Sequence, residues 1–130
     1  MGSCFMSMLF LITIHCTLYT MLIDGRKLAQ SKYDELRERL KALPFVPVFC
    51  DVLVGHDAAS RQYVAMKAQI AESIGIQFLH AEFPGDFDQS SLVQKVRELN
   101  FAQNLCGLII QLPLPNTFNV QGALDAIEPR

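Results

Sequence analysis

From about residue 21 onward, apolar positions alternate between two textures. Residues 26–43 scatter Leu28, Leu36, Leu40 and Leu43 among Lys, Arg and Glu, the spacing of an amphipathic helix that stops before Pro44. Residues 47–54, PVFCDVLV, form a compact apolar run with β-branched members closed by Gly55, which predicts a buried strand. Asp57 can then cap a helix to about Ile74, with Gly75 as its stop. Residues 76–83 read as a second strand. Asp88 or Ser90 starts a helix through Leu99, with Leu92, Val96 and Leu99 on one face. Residues 106–112, CGLIIQL, predict a third buried strand running into a loop marked by Pro113 and Pro115, and Asn119 caps a short last helix to Ile127. Strand and helix alternate. The pattern predicts one three-layer α/β/α domain with a mainly parallel sheet of four strands, the fourth either supplied from before Asp24 or absent.

The chain has 130 residues, enough for one ordinary domain with a core and too few for two. Eleven Lys and Arg against thirteen Asp and Glu argue against a surface that tracks nucleic-acid phosphates. All of these charges lie at or after Asp24. Residues 1–20 lack the basic start and small-residue cleavage site of a secretory signal, and Ser7, Thr13, His15 and Thr17 interrupt them as a membrane span. They are expected to be an extension outside the core, with Met21 as the natural start and 21–130 as the domain. The four cysteines form no C-x-x-C pair, so reduced thiols in a cytoplasmic setting, with neither a metal nor a disulfide framework, are expected. Cys50 and Cys106 fall inside the predicted buried strands, and His15, His56 and His80 stand isolated in the sequence.

Ligands of parallel α/β sheets gather beyond the carboxyl ends of the strands, and two features fall there. Tyr63 and Lys67 are four apart on the helix that follows the first strand, so they share a face beside Met66, Ile70 and Ile74. An amine held by a phenol in partly desolvated surroundings can exchange protons near neutral pH. An ordinary helix with an amphipathic Tyr and a snorkelling Lys has the same spacing. The second feature is Gln111-Leu112-Pro113-Leu114-Pro115, where an amide leaves the sheet ahead of a stiff loop. A rigid turn that only redirects the chain is the plainer account. No G-x-G-x-x-G or G-x-x-x-x-G-K-[ST] motif marks a nucleotide-phosphate loop.

In combination, Val54-Gly55-His56-Asp57-Ala58-Ala59-Ser60 leading to Tyr63 and Lys67, Ser73-Ile74-Gly75-Ile76, Leu99-Asn100, and Gly107-Leu108-Ile109-Ile110-Gln111-Leu112-Pro113-Leu114-Pro115 resemble one family closely. It is the folate-binding N-terminal domain of bifunctional methylenetetrahydrofolate dehydrogenase/methenyltetrahydrofolate cyclohydrolase, the FolD type. The order and spacing extend over nearly all of 21–130. The resemblance implies an amino-acid-dehydrogenase-like N-terminal fold and interconversion of 5,10-methylene-, 5,10-methenyl- and 10-formyl-tetrahydrofolate, with NADP or NAD as hydride acceptor. It further implies cytoplasmic one-carbon metabolism and a homodimer at full length, with no membrane or nucleic-acid partner. By the same resemblance, Tyr63 stacks on the folate ring system and Lys67 serves the proton transfers. Gln111 orients Lys67, and Leu112 and Pro113 line the pterin pocket. Lys67→Met is expected to keep the fold and lose cyclohydrolase turnover.

The sequence departs from the family at Ala58, where proline is common. The family's K-D-V-D-G stretch and dinucleotide-binding domain would follow Arg130, so this chain is expected to supply the folate-site half without a cofactor site. Short-chain dehydrogenases also carry a Tyr-x-x-x-Lys helix, but they need an N-terminal glycine-rich turn that is absent here. The substrate domain of another dehydrogenase of the same architecture, and an inactive or regulatory folate-domain fragment, are the alternative readings.

Overall fold

Short polar side chains start each helix. The computed structural model of the chain describes residues 23–129, so the expectations for residues 1–20 and for a strand supplied from before Asp24 lie outside the described residues. Helix α1 (Gly25–Leu40) begins where Asp24 accepts from the backbone N–H groups of Arg26 and Lys27, both at 3.1 Å. Helix α2 (Ala58–Ile74) begins where Asp57 accepts from Ser60 N–H at 2.7 Å, and it ends at Gly75, whose φ of +93° suits glycine. Asp88 opens α3 (Gln89–Leu99) by accepting from Ser91 N–H at 2.9 Å, and Asn119 opens the short α4 (Val120–Leu124) through Gly122 N–H at 3.1 Å. These bonds stabilise charged carboxylates. The Ser60 backbone holds Asp57 below its usual range, and the Ser90 hydroxyl followed by the Ser91 backbone does the same for Asp88.

Three strands, β1 (Val48–Val54), β2 (Gln77–Phe83) and β3 (Leu105–Ile110), form an all-parallel sheet in the order β2-β1-β3. The sheet thus has three strands among the described residues. β1 is central, and its alternation assigns its side chains to two faces. Cys50, Val52 and Val54 join Leu92 and Val96 of α3 in the main core, which Leu114 and Phe118 close from the loop after β3. Phe49, Asp51 and Leu53 face the other way, toward α2. α1 packs mainly on α2 and buries none of its residues; Leu28 and Leu36, the stripe that signalled the helix, stay exposed.

β3 carries one residue more than its partner. Val48 pairs with Leu105 and Phe49 with Gly107, so Cys106 is the bulged residue between them. Cys106 is consequently exposed, against the expectation from the apolar run, whereas Cys50 is fully buried. Gly107 faces the Phe49 ring, and a Cβ there would sit 3.1 Å from it, so any side chain at this position would require the ring to shift. Burial first, and the neighbouring Asp51 charge second, push the Cys50 thiol up to about 11. Brief alkylation with iodoacetamide at neutral pH should therefore modify Cys106 and spare Cys50 in the native protein, as read by peptide mass mapping. Equal labelling of the two would mean that the central strand opens readily.

The sheet is tied off behind α3 by Asn100. This buried side chain donates to the Ala126 carbonyl at 2.9 Å and accepts from Glu128 N–H at 3.2 Å, so it closes the segment after α4 onto the end of α3. That segment, 125–127, follows α4 as a turn, which is why the last helix stops at Leu124 and not at Ile127. No helix among the described residues is long and apolar enough to cross a membrane.

Candidate functional site

The carboxyl ends of the strands are built from close backbone approaches. Gly55 follows β1 with φ +90° and donates to the Phe83 carbonyl at 2.9 Å. A Cβ on Gly55 would lie 3.7 Å from Pro115 and 3.8 Å from the Gly85 backbone, so the loops after all three strands meet there. This turn sends α2 back across the sheet face that carries Asp51. Lys67 lies well inside the helix, and its stem runs down toward that face.

Gln111 leaves the sheet with its N–H still donating to the Val52 carbonyl at 2.8 Å. Its side-chain oxygen accepts from Lys67 Nζ at 2.7 Å, and its side-chain nitrogen donates to the Leu112 carbonyl at 2.6 Å. The two bonds fix which end of the amide points at the lysine. The Leu112–Pro113 peptide is cis, and both residues are exposed beside this amide. Tyr63 stands one turn before Lys67 on α2 and is 60% exposed. It borders an open hollow with Gln62, Met66 and Gln69, while Lys67 lines a different, apolar hollow of about 420 Å³ with Phe49, Ile70 and Gly107. Lys67 and Gln111 are therefore in direct contact, whereas Tyr63 is a neighbour along the helix that leaves its ring face open.

The sequence reading did not assign Asp51 a place in this group. Its side chain is completely buried, and the Lys67 ammonium forms an ion pair with its Oδ2. Apart from this ion-pair contact, neither carboxylate oxygen has a hydrogen-bond partner among the described residues, so the lysine is the counter-charge that makes the burial tolerable. The signal was present in the run PVFCDVLV: an acid inside a strand read as buried requires a partner, and the next helix brings one.

His56 and His80, isolated in the sequence, both stand beside Glu82. Arg61 Nη2 donates to Glu82 at 2.5 Å, His56 Nδ1 lies 2.8 Å from the same guanidinium nitrogen, and His80 Nε2 lies 3.4 Å from the other Glu82 oxygen. The Arg61 hydrogen bond is the main reason that the Glu82 carboxyl sits below its usual range. This exposed cluster is separate from Lys67. Among the described residues no group of three or more His, Cys, Asp or Glu is placed to hold a metal ion.

Residues 23–130 match the tetrahydrofolate dehydrogenase/cyclohydrolase catalytic-domain family. The chain belongs to this family. It is 38% identical over 112 residues to a bifunctional FolD protein of Acinetobacter baylyi, covering 84% of this chain and 38% of that protein. A FolD protein of Methanosarcina barkeri is likewise 38% identical over 112 residues, with 83% of this chain and 39% of the relative covered. The crystal structure of the FolD dehydrogenase/cyclohydrolase of Campylobacter jejuni superposes with a TM-score of 0.77 at 30% identity, over 81% of this chain and 38% of that one. The FolD enzyme of Trypanosoma brucei, solved with NADP cofactor and inhibitor, gives the same TM-score at 28% identity over 83% of this chain and 38% of its own. The chain thus spans well under half the length of the FolD proteins it matches. The α/β architecture with its parallel sheet is that of the family's N-terminal domain.

Proposed function

We propose that this chain supplies the tetrahydrofolate half of a methylenetetrahydrofolate dehydrogenase/methenyltetrahydrofolate cyclohydrolase site, handling 5,10-methylene-, 5,10-methenyl- and 10-formyl-tetrahydrofolate. The observation that carries this reading is the Lys67–Gln111 hydrogen bond, which joins the two sequence features at the carboxyl edge of the sheet. In this reading, Tyr63 offers its exposed ring to the folate, and Leu112 and Pro113 form the wall against the pterin. Lys67 moves or holds the proton exchanged when water opens the methenyl bridge. Gln111 keeps the lysine aimed, because its amide is itself anchored on the Leu112 carbonyl. NADP, present in the Trypanosoma brucei enzyme, would supply hydride acceptance. The described residues offer no glycine-rich phosphate turn to hold it. A complete enzyme of this kind would act as a cytoplasmic homodimer.

The test joins this domain to the remaining portion of a FolD relative and follows methenyl hydrolysis. Lys67 has to be removed together with Asp51, as Lys67→Met with Asp51→Val, so that no lone charge is left in the sheet. Turnover should fall by about 10²–10⁴, the range for loss of a general acid–base. Tyr63→Phe should be far milder, since the stacking face is kept. Wild-type turnover in the double variant would remove Lys67 from the chemistry.

A further inference from the structure

The buried side of Lys67 is occupied by a group to which the family resemblance assigns no role. Asp51 lies on central strand β1, has no exposed surface, and faces α2 between Phe49 and Leu53 in sequence. Lys67 Nζ meets Asp51 Oδ2 on one side and Gln111 Oε1 on the other, and the lysine side chain keeps 24% of its surface open. Both anchors belong to the sheet: Asp51 is in register with Ile109 of β3, and Gln111 continues that same strand. A lysine ammonium has three N–H donors. Gln111 takes one of these donors and the Asp51 carboxylate sits in ion-pair contact on another side, which leaves the amine's open side free to meet a further acceptor.

We propose that Asp51 is a positioning residue that holds the Lys67 amine against the sheet by ion pairing, so that its open side is presented to an acceptor on the ligand. The complementary chemistry is a carbonyl oxygen or a ring nitrogen lone pair, both of which a reduced pterin carries. The inference rests on the folate reading for its ligand, and on the Asp51–Lys67 contact alone for the clamp. With Asp51 replaced by asparagine the amine loses its counter-charge and meets only neutral amide oxygens, so the stem can swing toward solvent.

The experiment uses the full 130-residue chain, labelled with ¹⁵N and ¹³C, and reads lysine side-chain ammonium signals at neutral pH. The wild type should show a Lys67 ammonium exchanging with water at least about tenfold more slowly than the surface lysines, as one charge-assisted bond would impose. A correlation from Lys67 Nζ to the Asp51 carboxyl carbon should accompany it. In Asp51→Asn, with the backbone spectrum still native, the exchange should rise to the surface rate. An Asp51 that served stability alone would leave Lys67 equally protected in the folded variant, and that result overturns the proposal. So does a wild-type Lys67 that exchanges like any surface lysine. If Asp51→Asn fails to fold, the wild-type correlation decides by itself, and its absence is fatal. Adding 5-formyltetrahydrofolate should shift the Lys67 signal. A wild-type spectrum that folate leaves untouched, with protection still dependent on Asp51, sinks the folate reading and supports the clamp.

Discussion

Lys67→Met, made alone, should destabilise the domain by about 3–5 kcal/mol, the usual cost of removing one partner from a buried ion pair. The sequence suggested a tolerant site, because methionine reproduces the stem of a lysine on a helix surface. The structure changes that expectation: Asp51 is fully buried and receives no other donor among the described residues, so the substitution strands a carboxylate in the sheet. Lys67→Met combined with Asp51→Val should recover nearly all of the loss, to within about 1 kcal/mol of wild type or better, because apolar replacement of a buried pair is often neutral or favourable. Urea unfolding of wild type, both single variants and the double closes the cycle. A single variant within about 1 kcal/mol of wild type would show that Asp51 finds water or another partner.

Leu92→Ala should cost about 2–5 kcal/mol, the range for emptying a leucine site in a packed core. Leu92 lies on α3 with no exposed surface, in the cluster that contains Cys50, Val52 and Val96. The domain has a thin sheet, and most of its buried leucines and valines belong to this one cluster, so there is little other packing to compensate. The central strand cannot move toward the void without dragging Asp51 away from Lys67 on its opposite face. The loss should therefore appear at the upper part of the range, and in the ammonium signal of Lys67 as well as in the unfolding midpoint. A midpoint shift equivalent to under about 1 kcal/mol would mean that α3 collapses freely onto the sheet.

Much of this architecture was legible because punctuation and periodicity agree. Asp57 and Gly75 bracket α2 as the sequence proposes, and Asp88 and Asn119 start the two later helices. What the sequence could not show depends on register. The apolar run 106–112 looks uniformly buried, yet a one-residue bulge at Cys106 turns that thiol outward, and nothing local in the sequence marks where pairing slips. The leucine stripe of α1 predicts the helix but not its cover: Leu28 and Leu36 stay exposed, since periodicity reports a face and not what covers it. For the site, Lys67 and Gln111 were found from spacing and resemblance, and their contact across 44 positions is the structural counterpart. Asp51 was passed over because one charge inside an apolar run reads as noise until the facing helix is placed.

The Asp51–Lys67 contact also decides what kind of field the site projects. A bare lysine would be a monopole, and a positively charged methenyl carbon about 6 Å beyond it would be repelled by roughly 3 kcal/mol at an effective dielectric of about 20. With the Asp51 carboxylate in contact behind the amine, the attraction to it cancels roughly 2 kcal/mol of that repulsion. The pair is then a dipole with its positive end outward, strong at hydrogen-bond range and weak a few ångströms further out. Such a site can grip an acceptor atom through the lysine while still admitting a cation into the same cleft.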